Sequence, residues 1–207
     1  MHVHRVDAWT LTVSTALVVV TLLPVLGGGI TAAEASVFRS INEAPEVPYA
    51  LAWGLMQVGN VGATVAAAGV AWVRRRRELA AALAVGGFAT WVLAKVLKGF
   101  VERGRPAAVL DDVVLRHAST TGRGWVSGHA AVAAALLTIA WPVLSRRWRI
   151  GLVAVIAPMY VVRVYVGEHL PLDMVGGAAF GVLCGQVVVA ARRHAGPSDA
   201  RVEGTST

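Results

Sequence analysis

The sequence predicts an all-α fold: a polytopic membrane helix bundle of six transmembrane helices, with an interfacial helix after the first. Three observations predict it. Of the 207 residues 56% are hydrophobic and only 15% charged, against about 45–50% and about 25% in a soluble domain, and the mean hydropathy is +0.63. The apolar residues gather into long uncharged runs. The 19 Lys and Arg, which outnumber the 12 Asp and Glu and give a net charge of +7, cluster between those runs. That is a membrane pattern rather than a phosphate-tracking stripe, so no nucleic-acid partner is expected. Soluble globular and disordered classes are excluded on the same grounds. The single cysteine, Cys184, rules out an internal disulfide framework or a thiolate metal cage, and in its apolar run it reads as a small core residue.

Six runs supply the spans, since crossing the hydrocarbon takes roughly 20 residues. Ala8–Ala33, Val47–Val73 and Gly124–Ser145 are long enough alone. Leu79–Ala94 becomes long enough by absorbing Lys95 and running to about Leu97, Ile150–Val162 by absorbing Arg163, and Met174–Ala191 by starting near Pro171. Cations inside a span are costly in lipid and mark a functional interior. The alternative for the first run is a cleaved signal peptide, with Arg5 as its basic start and Ala33-Glu34-Ala35 as its cleavage site. Its 26 uncharged residues exceed the ~7–15 of such a segment, which favours a retained helix. Residues 31–46 mix Val37, Phe38 and Ile41 with Glu34, Arg39 and Glu43 and stop at Pro45 and Pro48, the pattern of an interfacial amphipathic helix or else a solvated loop. Residues 1–195 thus form one membrane-embedded domain, and 196–207 a disordered polar tail.

Orientation follows from the basic clusters. Arg5, Arg74–Arg77, Arg146, Arg147, Arg149, Arg192 and Arg193 place both termini in the cytoplasm of a multi-pass cell-membrane protein, and put 31–50, 98–124 and 163–171 on the outer face. Trp9, Trp72, Trp141 and Trp148 fall at inner ends and Trp53 and Trp125 at outer ends, as an aromatic belt would. Trp91 does not fit the belt and is expected to face another helix.

Three segments bring polar residues to that outer face: Lys98-x6-Arg105-Pro106, Ser127-Gly128-His129, and Arg163-x5-His169-x3-Asp173. Singly each has a plain reading. Lys98 and Arg105 suit snorkelling anchors, Ser127 suits an N-cap, and His169 with Asp173 suits a helix-start hydrogen bond. Jointly, in this order and on one membrane face, the three resemble the type 2 phosphatidic acid phosphatase superfamily of integral-membrane lipid phosphate phosphatases. The resemblance covers roughly residues 8–193. Two departures stand out. Val126 replaces the proline usual before Ser-Gly-His, and Val162 replaces the serine usual before the arginine, so one phosphate contact is missing or is supplied elsewhere, for instance by Thr120 or Thr121.

The resemblance implies a catalytic set of His169 as nucleophile through a phosphohistidine, Asp173 orienting it, and His129 as general acid and base, with phosphate bound by Lys98, Arg105, Ser127, Gly128 and Arg163. The residue chemistry agrees. Guanidinium groups bind phosphate oxygens in pairs, and the amides of a helix N-terminus favour an anion. With three cations at hand no metal and no cofactor is expected; Asp111 and Asp112 read as a solvated loop. Arg103 and Arg123 either touch the second phosphate of a diphosphate or sit in water. Glu168 either tunes His169 or caps the last helix, and Lys95 either lines the site or snorkels. His117, His2, His4 and His194 read as solvated. An outer-face site points to a membrane lipid phosphate. Undecaprenyl diphosphate, recycled for cell-wall biogenesis, is the first choice, then phosphatidylglycerophosphate and phosphatidic acid. The rival classes are a non-catalytic lipid-binding or transport module, whose signature would be loss of a histidine or the aspartate, and a ligand-free scaffold. The oligomeric state is not encoded in any of these features.

Overall fold

The computed structural model describes residues 8–194, so the polar tail expected over 196–207, the signal-like start at Arg5, and His2 and His4 lie outside the described residues. Nine helices follow one another among them: α1 Ala8–Leu22, α2 Ala32–Asn42, α3 Tyr49–Met56, α4 Val61–Val73, α5 Arg77–Lys98, α6 Pro106–Val109, α7 Gly128–Ala140, α8 Arg146–Tyr165 and α9 Pro171–His194. Short 3-10 turns extend α1 to Val25 and α7 to Val143. No strand forms among the described residues, which is the all-α class expected.

Four helices are long and apolar enough to cross a membrane, and a fifth crossing results if the bent pair α3–α4 is one span. Two of the six expected spans are therefore not single helices of that length. The run Val47–Val73 is broken over 57–60, with α3 and α4 bent by 66°. Asn60 caps α4 by accepting from the Ala63 amide at 2.8 Å, and its own Nδ2 donates to Gln57 Oε1 at 2.9 Å. The run Gly124–Ser145 yields only 13 α-helical residues, because Ser127 caps α7 and leaves Gly124, Trp125 and Val126 non-helical and buried. Irregular backbone at membrane depth is tolerated where protein covers it. The first run also ends early, at Val25 rather than Ala33.

Helix α7 is the centre of the bundle, packed on α5 and α9, with Ala130, Ala131, Val132, Ala133, Ala134, Ala135 and Ile139 buried. A helix apolar all round belongs inside protein. Helix α1 packs on α9, α4 on α5, and α3 on α8. Helix α2 takes the place expected for the interfacial helix. Thr31 caps it, and it buries Glu34, Ala35, Phe38 and Asn42 against α8 and α9. Trp125 is corrected: it is fully buried in the core with Val25, Ala94 and Val101, not part of an aromatic belt. Trp91 also departs from expectation, meeting Phe88 on its own helix, and Lys95 stacks on its ring at 3.8 Å. Lys95 is thus exposed and turned away from the bundle. Cys184 is half-buried.

Candidate active site

The antiparallel course of the bundle brings the end of α5, the start of α7, the end of α8 and the start of α9 to one end. Lys98 is the last residue of α5, Arg105 immediately precedes α6, Ser127 caps α7 with Gly128 and His129 opening it, Arg163 lies in the last turn of α8, and Asp173 in the first turn of α9. His169 sits in the buried connection between α8 and α9. All eight residues named from the sequence come together here.

The connection from α8 to α9 is tied down by its own backbone. The amides of Glu168 and His169 both donate to the Arg163 carbonyl at 3.2 Å, and Gly167 makes the turn at a φ of +79°. His169 Nδ1 faces Asp173 Oδ2 at 3.4 Å, and the same oxygen accepts from the Leu170 amide at 3.0 Å. The Ser127 amide donates to the Asp173 carbonyl at 3.0 Å, locking α7 to α9 at the site. Gly124 allows this closeness: an added Cβ there would lie 2.7 Å from Asp173 Oδ2 and 3.1 Å from the Gly104 carbonyl oxygen.

Behind Asp173 lies a pairing that the sequence reading missed. Arg103 is fully buried and donates to Glu34 Oε2 at 2.5 Å, while its Nε stands 3.6 Å from Asp173 Oδ1. Glu34 Oε1 accepts from the Leu172 amide at 2.9 Å. Neither alternative offered for Arg103, second-phosphate contact or water, holds. It anchors α2 to the back of the site. Arg123 turns away as well, donating to the Lys98 and Gly99 carbonyls and pairing with Glu102 at 3.3 Å. Lys98 Nζ in return donates to the Arg123 carbonyl at 3.1 Å. Glu168 neither caps α9 nor stands beside the ring alone. Its carboxylate bridges Arg105, at 3.1 Å, and Arg163.

Electrostatics follow from this packing. Burial drives the His169 imidazole well below the ordinary histidine range, Lys98 adds to the effect ahead of Arg105 and Arg163, and Glu168 opposes it. His169 is therefore neutral and keeps a free lone pair at neutral pH. Burial pushes the Glu168 carboxyl up, but the charges of Arg163, His169 and Arg105 outweigh it and hold it at about 2. His129 is half-buried beside Arg163, Glu168, His169 and Lys98. Val162 and Val126, where the motifs depart from the usual pattern, both lie in apolar clusters, Val162 with Ala52, Tyr165 and Val166. Asp111, Asp112 and His117 are exposed, as the sequence suggested. His117 meets the Tyr49 ring on the rim of a cavity of about 550 Å³ beside α3. Among the described residues no group of three or more His, Cys, Asp or Glu side chains is arranged to hold a metal ion.

Known proteins share the family and the fold. The family model of the PAP2 superfamily matches residues 75–196. The crystal structure of Aquifex aeolicus LpxE superimposes with a TM-score of 0.70 at 26% identity, over 77% of this chain and 96% of that one. The crystal structure of the first transmembrane PAP2 type phosphatidylglycerolphosphate phosphatase from Bacillus subtilis also gives 0.70, at 20% identity, over 90% of this chain and 98% of that one. No curated protein matches the chain.

Proposed function

Because the chain belongs to the PAP2 superfamily, we propose that this multi-pass membrane protein is a lipid phosphatase that works through His169. The observation that carries the reading is a neutral, buried imidazole beside a carboxylate, facing three cations contributed by separate segments. Phosphoryl transfer needs an in-line nucleophile, charge on the equatorial oxygens and a proton for the leaving group.

In the first step His169 Nε2 attacks phosphorus and the bond from phosphorus to the lipid oxygen breaks, with His129 protonating that oxygen. Asp173 accepts from His169 Nδ1–H, which fixes the tautomer and stabilises the imidazolium that forms. In the second step His129 takes a proton from water, the water oxygen attacks phosphorus, the P–N bond breaks, and inorganic phosphate leaves with His169 restored. Lys98, Arg105 and Arg163 hold the oxygens throughout. The Ser127 hydroxyl and the first-turn amides of α7, which have no intrahelical acceptor, add fixed dipoles. General acid and base help of this kind is typically worth about 10²–10⁴-fold.

The site faces the outside of the cell membrane in this reading, with both termini cytoplasmic, so its substrate is a lipid of the outer leaflet. Undecaprenyl diphosphate suits that position and would make the enzyme a carrier-lipid recycler. A second reading, phosphatidylglycerophosphate or phosphatidic acid, is favoured by the engagement of Arg103 and Arg123 away from the site, since both had been candidates for a second phosphate. A phosphatidylglycerolphosphate phosphatase is also among the proteins that share the fold.

The test is phosphate release by detergent-solubilised protein on these lipids, with and without EDTA, for wild type and His169→Ala. Release from one lipid that resists EDTA and disappears in the variant is the expected result. Release that EDTA stops would overturn the metal-free mechanism, and no release from any lipid by folded protein would leave the lipid-binding module in its place.

A further inference from the structure

Among the described residues, Glu168 pairs directly with two of the proposed phosphate-binding cations, and the catalytic cycle above does not use it. Its placement is specific. One carboxylate oxygen receives Arg105 NH1 at 3.1 Å, the other receives Arg163 NH1, and the Glu168 carbonyl also accepts from Arg105 at 3.2 Å. Arg163 NH2 reaches the Met56 carbonyl at 3.4 Å. The Nε atoms of both arginines are buried and carry no partner, so each guanidinium retains at least one donor that the protein leaves unused.

The charge count bears on what fills the space. Lys98, Arg105 and Arg163 bring three positive charges, and Glu168 removes one. His169 adds none when neutral, His129 adds one in the protonated form that the first step requires, and the buried group of Arg103 between Glu34 and Asp173 behind the site takes one away. A phosphate monoester carries about −1.5 to −2 at neutral pH. A diphosphate ester carries one more charge and a second group of oxygens, for which no cation remains at the site among the described residues. Arg103 and Arg123 are both engaged elsewhere.

We propose that Glu168 is a specificity-determining residue: fixed between Arg105 and Arg163, it sets the charge of the anion site to that of a single phosphate and so selects lipid phosphate monoesters over diphosphates. The inference rests on the phosphatase reading and, within it, on the monoester lipids rather than undecaprenyl diphosphate, but its physical content is a statement about anion binding. The carboxylate orients the two guanidiniums through their NH1 groups and opposes a second phosphate by like charge.

Equilibrium binding of inorganic phosphate and of methylenediphosphonate to detergent-solubilised wild type, Glu168→Gln and Glu168→Asp tests it without turnover. Wild type is expected to bind phosphate at least as tightly as the diphosphonate. Glu168→Gln, which keeps the shape and removes the charge, is expected to shift the ratio toward the diphosphonate by about tenfold. Glu168→Asp, which keeps the charge, is expected to leave the ratio near that of wild type. Tighter diphosphonate binding by wild type, or a ratio unchanged within about twofold in folded Glu168→Gln, overturns the inference. Should Glu168→Gln not fold, the wild-type ratio alone decides. The outcome is separable from the lipid assay. A shifted ratio in a protein that releases no phosphate from any lipid retains the inference about the anion site and sinks the phosphatase, whereas lipid hydrolysis with an unshifted ratio does the reverse.

Discussion

Arg103 carries no part of the proposed chemistry, yet it sets the position of the groups that do. Its guanidinium joins Glu34 on α2 to Asp173 on α9, all three side chains being almost fully excluded from water. Removing one partner of a buried pair leaves an uncompensated charge, which typically costs about 3–5 kcal/mol. Glu34→Ala is therefore expected to lower the melting temperature in detergent by several degrees. It should also reduce kcat, because Arg103 would then draw on Asp173 alone and compete with His169 for it. An unchanged melting temperature would contradict the pairing. His169 gives a pH prediction of definite sign. Its folded value lies well below 6.5, so below that pH the unfolded chain binds more protons than the folded protein, and stability falls as the pH is lowered. Glu168, held at about 2, keeps its charge over the same range and adds nothing to the slope above pH ~5. The melting temperature of wild type should drop more between pH 7 and pH 5 than that of His169→Asn, and parallel slopes would show that His169 is not buried neutral. The residues at this scale were unequally legible. His129, His169 and Asp173 stand at short, fixed offsets from other motif residues, so the chain itself displays them. Glu34 and Arg103 are 69 positions apart, and nothing local distinguishes their pairing from two solvated charges.

At the scale of the helices, small residues decide how closely α7 and α9 approach. Gly177, Gly181 and Gly185 recur every four residues on α9, and added Cβ atoms there would meet Ala130, the Ala131 backbone and Thr138 of α7. Such a stripe lets helix backbones pack where lipid gives no hydrophobic drive between them. The most confined of the three is Gly181, where a Cβ would overlap the Ala131 carbonyl. Gly181→Leu forces the pair apart at an expected cost of at least about 1–3 kcal/mol. Since Ser127 and Asp173 are joined across the same two helices, activity should fall together with the melting temperature. Full activity in a destabilised variant would mean that the site is held by its loops rather than by this contact. The helix boundaries show why sequence reading stops where it does. Runs of apolar residues located α1, α3, α4, α5, α7, α8 and α9, but hydropathy is blind to capping. Asn60 and Ser127 are both uncharged and sit inside apolar runs, yet each side chain accepts from the backbone amide three residues on and starts a helix there. The Gly-Asn pair was the available signal at Asn60 and was outweighed by the length of the run around it, whereas Ser127 beside Gly128 was legible as an N-cap. Trp125 was misplaced for a related reason: position along the chain gives depth in the membrane but not which side of the backbone faces protein.

The whole molecule adds one further constraint, the face of the membrane on which the site opens. Helix α5 starts at Arg77 and ends at Lys98, α8 starts at Arg146 and ends beside Arg163, and α9 starts near Asp173 and ends at Arg192, Arg193 and His194. The site and the basic clusters therefore occupy opposite ends of the bundle. Arginines near span ends are generally retained on the cytoplasmic side, which supports the proposed opening of the site to the outside. This ordering does not depend on whether α3 and α4 count as one span or a broken one, because α5, α8 and α9 each connect a basic end to a site end. Labelling with a membrane-impermeant maleimide in intact cells tests it, in a Cys184→Ser background that removes the single native thiol. Thr120, exposed in the loop before α7, and Ser145, exposed before α8, mark the two ends. Thr120→Cys should label in intact cells and Ser145→Cys only after permeabilisation. The reverse pattern would turn the site toward the cytoplasm. It would also withdraw the outer-leaflet lipid pool from consideration while leaving the nucleophile, its carboxylate partner and the charge of the anion site as they are.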